Sequence, residues 1–212
     1  MFDEESFEQR YRATEALWSG RPNGQLVAEA AGLEPGAALD VGCGEGADAV
    51  WLARRGWRVT AVDFAATALE RGAAAAAAAG EEVADRIHWL RADVTRWAPA
   101  PNSFDLVCAA FMHLPGDQRR ALFARLAAAV RVGGTLLLIG HDISDSEAGA
   151  HRPPVPDMFF TAGEVAAALD PLAWEVLVAE ARPRPAAVHE GEHITVHDAV
   201  LRARRRRDEK AG

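Results

Sequence analysis

The sequence predicts an α/β fold built on a mainly parallel sheet with helices on both faces. Two observations carry that expectation. Short apolar runs bounded by Gly, Pro, Asp or Asn, most of them rich in Val, Leu or Ile, recur along the chain in the manner of buried strands. Longer segments with apolar residues at helical spacing lie between them, and strands that alternate with helices form βαβ units.

Taken in order, residues 6–18 read as an amphipathic helix, followed by the turn-prone Ser19-Gly20-Arg21-Pro22-Asn23-Gly24 and a short helix at 25–31. Strands are expected at 38–41, 58–62, 87–91, 104–109 and 135–140. The segment 45–55 places Ala49, Leu52 and Ala53 on one helical face, and Ala66–Ala79 consists largely of the best helix former. In 117–130, Leu122, Leu126 and Ala129 form an apolar stripe, with Arg119, Arg120 and Arg125 expected towards water. Residues 141–156 carry three prolines and small polar residues, which makes a long loop. Thr161 caps a short helix to Leu169, with Glu164 at capping-box spacing. Strands at 174–181 and 193–202 close the fold, and a charged, solvated tail is expected from Arg204 onward.

The 212 residues carry a net charge of −8, which disfavours a general nucleic-acid binder. Arginine accounts for all the basic residues except Lys210, a bias read as codon usage. Cys43 and Cys108 are too few for a disulfide framework and read as reduced thiols. The acidic start Met1-Phe2-Asp3-Glu4-Glu5 lacks a signal core, and no apolar run is long enough to span a bilayer, so a cytoplasmic location without membrane partners is expected. We expect one domain over 1–212. It divides into a helical cover at 1–36, a cofactor-binding core at 37–140, a substrate-side loop with the last strands at 141–203, and the tail at 204–212. Nothing in the sequence speaks to the oligomeric state.

Chemistry concentrates where the first strand runs into Leu39-Asp40-Val41-Gly42-Cys43-Gly44-Glu45-Gly46 and a helix follows at once. Glycines allow a sharp turn and close approach of a ligand, and a helix start offers N–H donors. Asp63, at the end of the second strand, is placed to accept both hydroxyls of a ribose. The glycine spacing is one residue shorter than the dinucleotide fingerprint, and Asp40 stands two residues before the first glycine. A carboxylate there repels pyrophosphate and favours the ammonium and sulfonium charges of S-adenosylmethionine.

These residues resemble motif I of the class I S-adenosylmethionine-dependent methyltransferases. Val62-Asp63-Phe64 and Arg91-Ala92-Asp93-Val94 are similar to the family's ribose and adenine motifs, and Phe104-Asp105-Leu106-Val107 and Arg131-Val132-Gly133-Gly134-Thr135-Leu136 to its fourth and fifth strands. Trp18-Ser19-Gly20-Arg21-Pro22-Asn23, Gly140-His141-Asp142 and the C-terminal Arg-Pro-Arg region are similar to a bacterial branch near the tellurite-resistance and thiopurine methyltransferases. The resemblance implies a Rossmann-like, doubly wound, seven-stranded sheet whose last strand is antiparallel, with S-adenosylmethionine as cofactor. It implies that Gly42, Cys43 and Gly44 lie against the methionine moiety, with Asp40 ordering its amino group. Asp63 would bind the ribose and Phe64 would cover one adenine face. Asp93 would accept from the adenine amine, Val94 would offer its N–H to the ring, and Phe111 would join the same pocket.

Catalytic groups are expected at the carboxyl ends of the strands. His113 after the fourth strand, and His141 with Asp142 after the fifth, meet that placement as a base oriented by a carboxylate. Tyr11, Trp18 and Arg21 are candidates for shaping the acceptor pocket. His189, His193 and His197 recur at four-residue spacing, but the β-branched Ile194-Thr195-Val196 favours a strand over a metal-binding helix face, so no metal is expected. Ala109-Ala110-Phe111-Met112-His113-Leu114 stands where methyltransferases acting on amino groups of DNA bases carry a Pro-Pro-aromatic motif. A small-molecule acceptor is therefore expected. A non-catalytic sensor that binds the cofactor and an NAD-dependent oxidoreductase are the competing readings.

Overall fold

The computed structural model describes residues 4–14, 16–145, 156–187 and 193–207. Seven strands form one sheet in the order β3-β2-β1-β4-β5-β7-β6. They are β1 (Ala37–Val41), β2 (Arg58–Asp63), β3 (Ile87–Arg91), β4 (Phe104–Ala110), β5 (Val130–His141), β6 (Trp174–Ala187) and β7 (His193–Arg205). The first five pair in parallel, whereas β7 runs antiparallel to both β5 and β6. The expected doubly wound sheet with its antiparallel last strand is what the structure has.

Helices α1 (Glu4–Ala13), α2 (Gly24–Ala30), α3 (Ala47–Arg54), α4 (Ala66–Ala79), α5 (Glu81–Ala84), α6 (Gly116–Ala129) and α7 (Ala162–Ala167) cover the sheet. The strands read as nearly continuous apolar runs because both faces are buried. In β5, Leu136 and Leu138 join the core that includes Leu122 and Leu126 of α6, while Leu137 and Ile139 join the opposite core with Leu52 of α3 and Leu26 of α2. Strand order reverses between β1 and β4, whose neighbours on the other side are β2 and β5. At such a switch point the loops diverge and leave a crevice above the carboxyl ends of the strands.

Three expectations change. Arg119 is buried, donates from Nη1 to the Asp157 carbonyl and lies over the Phe160 ring, and Arg125 Nη2 donates to the Val94 carbonyl. Both turn inward because loops carrying unpaired carbonyls pack over α6, and a guanidinium stem can bury while its head satisfies them. The tail also begins later than expected: β7 runs to Arg205, Arg204 pairs with Glu175, and Arg206 Nε donates to the Trp174 carbonyl. Finally α1 ends at Ala13, five residues short of Trp18, because the segment beyond it is drawn onto the glycine-rich turn. The capping box at Thr161 and Glu164 forms as expected.

Candidate functional site

The turn after β1 is built from three glycines in the left-handed region, Gly42, Gly44 and Gly46, with φ of 72°, 52° and 78°. Side chains at these positions are strained, and a Cβ would also meet Met112 at Gly42 and Trp89 at Gly46. The turn is pinned to β2, since Gly42 N and Cys43 N both donate to the Val62 carbonyl.

Carboxylates surround it. Asp63 is buried and accepts from Gly44 N and Ala65 N, each at 2.9 Å, so it ties the turn to the end of β2. Burial raises its pKa above the ordinary carboxylate range. Asp40 is 3% exposed, and its Oδ2 has no hydrogen-bond partner among the described residues. Burial first, and the nearby Asp48 second, hold its pKa well above the usual value. Asp48, in the first turn of α3, accepts from Asn23 N at 2.6 Å and is raised by burial to about 6. An orphaned, buried carboxylate oxygen behind a left-handed glycine turn suits a ligand that brings an ammonium group. These residues therefore fit the cationic nucleoside that the sequence implies. Burial and the Asp40 charge push the Cys43 thiol up, away from nucleophilic use.

The N-terminal segment lies directly on this turn. Trp18 Nε1 donates to Tyr11 Oη at 3.0 Å, and both atoms sit just over 3 Å from where a Cβ on Gly44 would be. Glu45, within the turn, accepts from Leu17 N and Trp18 N and pairs with Arg71 at 2.8 Å. Arg71 also donates to the Tyr11 and Thr14 carbonyls that end α1. Burial pushes the Tyr11 hydroxyl up to about 12, so it stays protonated as a donor. Phe64 packs edge-on to Phe7 at 5.8 Å beneath the same cover. Arg21 is exposed beyond it, with its backbone N held by Ser19 Oγ.

Next to the turn the structure brings His113 and His141 together, with their Nε2 atoms 3.4 Å apart. Burial, with a smaller push from Arg10, lowers His113 to about 4. Phe111 precedes them with φ 53°, which points its ring 4.7 Å from the centre of His141. Asp142 is buried and accepts from Ser144 N, capping the turn after β5. The carboxylate seen paired to an imidazole here is Asp145, whose Oδ1 lies 3.0 Å from Nδ1 of His197 on β7. Asp93 forms an Asx turn with Thr95, accepting from its N and Oγ1, and Val94 is buried beside it.

Glu45, Arg71, Met112 and Asp48 were not singled out from the sequence, and His197 was weighed there only as a metal ligand. Only Glu45 carried a signal, by its place inside the turn. His193 and His197 lie on a strand, and His189 falls outside the described residues. Among the described residues no group of three or more His, Cys, Asp or Glu is arranged to hold a metal ion.

The geometry has counterparts. Residues 38–134 match the profile of a methyltransferase domain. A structure reported for the conversion of a disulfide bond into a thioacetal group during echinomycin biosynthesis superposes with TM-score 0.73 at 26% identity, over 98% of this chain and 94% of that one. This is the class I S-adenosylmethionine-dependent methyltransferase fold. The N-methyltransferase NodS of Bradyrhizobium japonicum, in complex with S-adenosyl-L-homocysteine, superposes with TM-score 0.69 at 19% identity over 96% of this chain and 99% of its own. An uncharacterised methyltransferase of Mycobacterium bovis is 45% identical over 103 residues, 48% of this chain and 48% of the relative. The match thus spans about half the length of that relative. Among the described residues no helix is long and apolar enough to cross a membrane.

Proposed function

We propose that the chain transfers the methyl group of S-adenosylmethionine to an oxygen, nitrogen or sulfur atom of a small-molecule acceptor by in-line displacement, leaving S-adenosylhomocysteine. One domain in the cytoplasm serves both cofactor and acceptor. The observation that carries this reading is the buried Oδ2 of Asp40, beside three left-handed glycines and without a hydrogen-bond partner among the described residues. A pyrophosphate is repelled by that oxygen, whereas an ammonium is drawn to it. The 26% identity with the echinomycin structure and the methyltransferase-domain match support the same class.

The bound sulfonium supplies a methyl group and a neutral leaving group. The chain's own groups do the rest. Asp40 orders the amino group against Gly42, Cys43 and Gly44, and Asp63 takes the ribose hydroxyls. Phe64 and Phe111 line the nucleoside pocket, while Asp93 and the Val94 N–H read the adenine edge. Tyr11, Trp18 and Arg21 close the acceptor side and exclude water, which strengthens every charge interaction inside. His113 and His141 form the proton-accepting pair for an acceptor that carries a proton. Asp142 anchors the strand end from which His141 projects.

The test is a panel of phenols, thiols, amines and carboxylic acids assayed for S-adenosylhomocysteine release, with mass analysis of each product. At least one acceptor gains one methyl group. Turnover-free cofactor binding across the panel would favour a sensor instead.

A further inference from the structure

A continuous row of aromatic and guanidinium groups in contact runs through His113 and His141. Arg10 Cζ lies 5.2 Å over the Phe7 ring, and Phe7 is 6.4 Å from His113. His113 is 5.5 Å from His141, His141 is 4.7 Å from Phe111, and Arg184 Cζ lies 5.7 Å over Phe111. Planar rings form the middle of the row, and a guanidinium closes each end. The Arg184 end is built with care. Asp198 on β7 is 2% exposed and holds Arg184 through Nε alone, at 2.9 and 2.8 Å from its two oxygens. Among the described residues the terminal Nη atoms of Arg184 make no hydrogen bond, and its side chain is 37% exposed. A guanidinium anchored by Nε and laid on an aromatic ring keeps its two Nη donors in a fixed fork. Of the other carboxylates at this end, Asp142 accepts from Ser144 N, and Asp145 accepts from His197 N and pairs with the His197 imidazole.

We infer that the acceptor is an aromatic compound carrying an ionised carboxylate, and that the Nη fork of Arg184 is the group that reads that carboxylate. This rests on the methyl-transfer reading above and names the acceptor class for it. Phe111, His113 and His141 are each partly exposed, and an aromatic ring laid edge-on against them has its carboxylate at Arg184 and its nucleophilic atom towards the histidine pair.

The experiment is calorimetric titration of the full chain saturated with S-adenosylhomocysteine, using benzoate, the neutral isostere benzamide, and phenyl phosphate as probes. Benzoate binds at least about tenfold more tightly than benzamide, the worth of one charge-assisted pair. Arg184→Met abolishes that preference and Arg184→Lys retains part of it. Because Arg184→Met removes the cation paired with the buried Asp198, the double variant Arg184→Met with Asp198→Asn removes both charges. It loses the preference while keeping its S-adenosylhomocysteine affinity. Equal binding of benzoate and benzamide, no binding of either, tighter binding of phenyl phosphate, or a preference that survives in both variants overturns the assignment. Failure of S-adenosylhomocysteine itself to bind is a separate result, which removes the methyl-transfer reading and this one with it.

Discussion

His113 and His141, projecting from the loop after β4 and from the end of β5, meet through their Nε2 atoms at 3.4 Å. Such a contact needs one ring to donate and the other to accept, so the pair holds at least one neutral imidazole. Burial makes His113 that neutral partner, at about 4.

The pH dependence follows in sign. An unfolded imidazole titrates near ~6.5, above the folded value, so the folded chain binds fewer protons between the two. The contribution of His113 to stability is therefore complete above ~6.5 and is lost as pH falls towards 4. Urea midpoints measured at several pH values check this: the drop on acidification is larger in the wild type than in His113→Gln. Turnover of either single variant, His113→Ala or His141→Ala, falls by about 100-fold while cofactor affinity holds. Unchanged turnover in both would mean catalysis by proximity alone.

Asp40 and Asp48 predict a second pH effect, on binding. Asp48 is raised to about 6 and Asp40 is also raised, so both gain protons when no cation is near. The amino group of S-adenosylhomocysteine favours the ionised forms, so its affinity rises as pH increases through 6. Calorimetry at pH values on either side of 6 checks this, and Asp48→Asn flattens the profile.

Strand–helix alternation and the β-branched runs specified the sheet, because burial on both faces leaves a strong apolar signal. Asp40, Asp63 and the three glycines stood out because a turn that receives a ligand leaves local marks. Arg119, Arg125 and Arg206 were read as solvated, since no local pattern reveals a carbonyl supplied from a distant segment. The Glu45–Arg71 pair joins positions 26 apart and was invisible for the same reason.

That pair gives a third prediction. Glu45 and Arg71 clamp the segment carrying Tyr11 and Trp18 onto Gly44. Glu45→Gln weakens the clamp by about 1 kcal/mol, which corresponds to roughly fivefold faster dissociation of S-adenosylhomocysteine. Stopped-flow tryptophan fluorescence reads it, since Trp18 lies on the turn.

Gly72 gives a fourth. In the alanine-rich α4 it looks like a weak point, yet a Cβ there would strike the Trp89 ring, which also fills the space beside Gly46. Gly72→Ala therefore destabilises the fold by about 1–3 kcal/mol through overpacking, although helix propensity alone would add about 1 kcal/mol of stability. Thermal or urea denaturation decides between the two signs.

The central claim is that this glycine turn and its carboxylates receive a cationic nucleoside. Calorimetric titration of the full chain with S-adenosylhomocysteine and, separately, with NAD tests it most directly. The account predicts saturable one-to-one binding of S-adenosylhomocysteine, weakened at least about tenfold by Asp63→Ala, and no binding of NAD. Tight binding of NAD with no response to S-adenosylhomocysteine would contradict it.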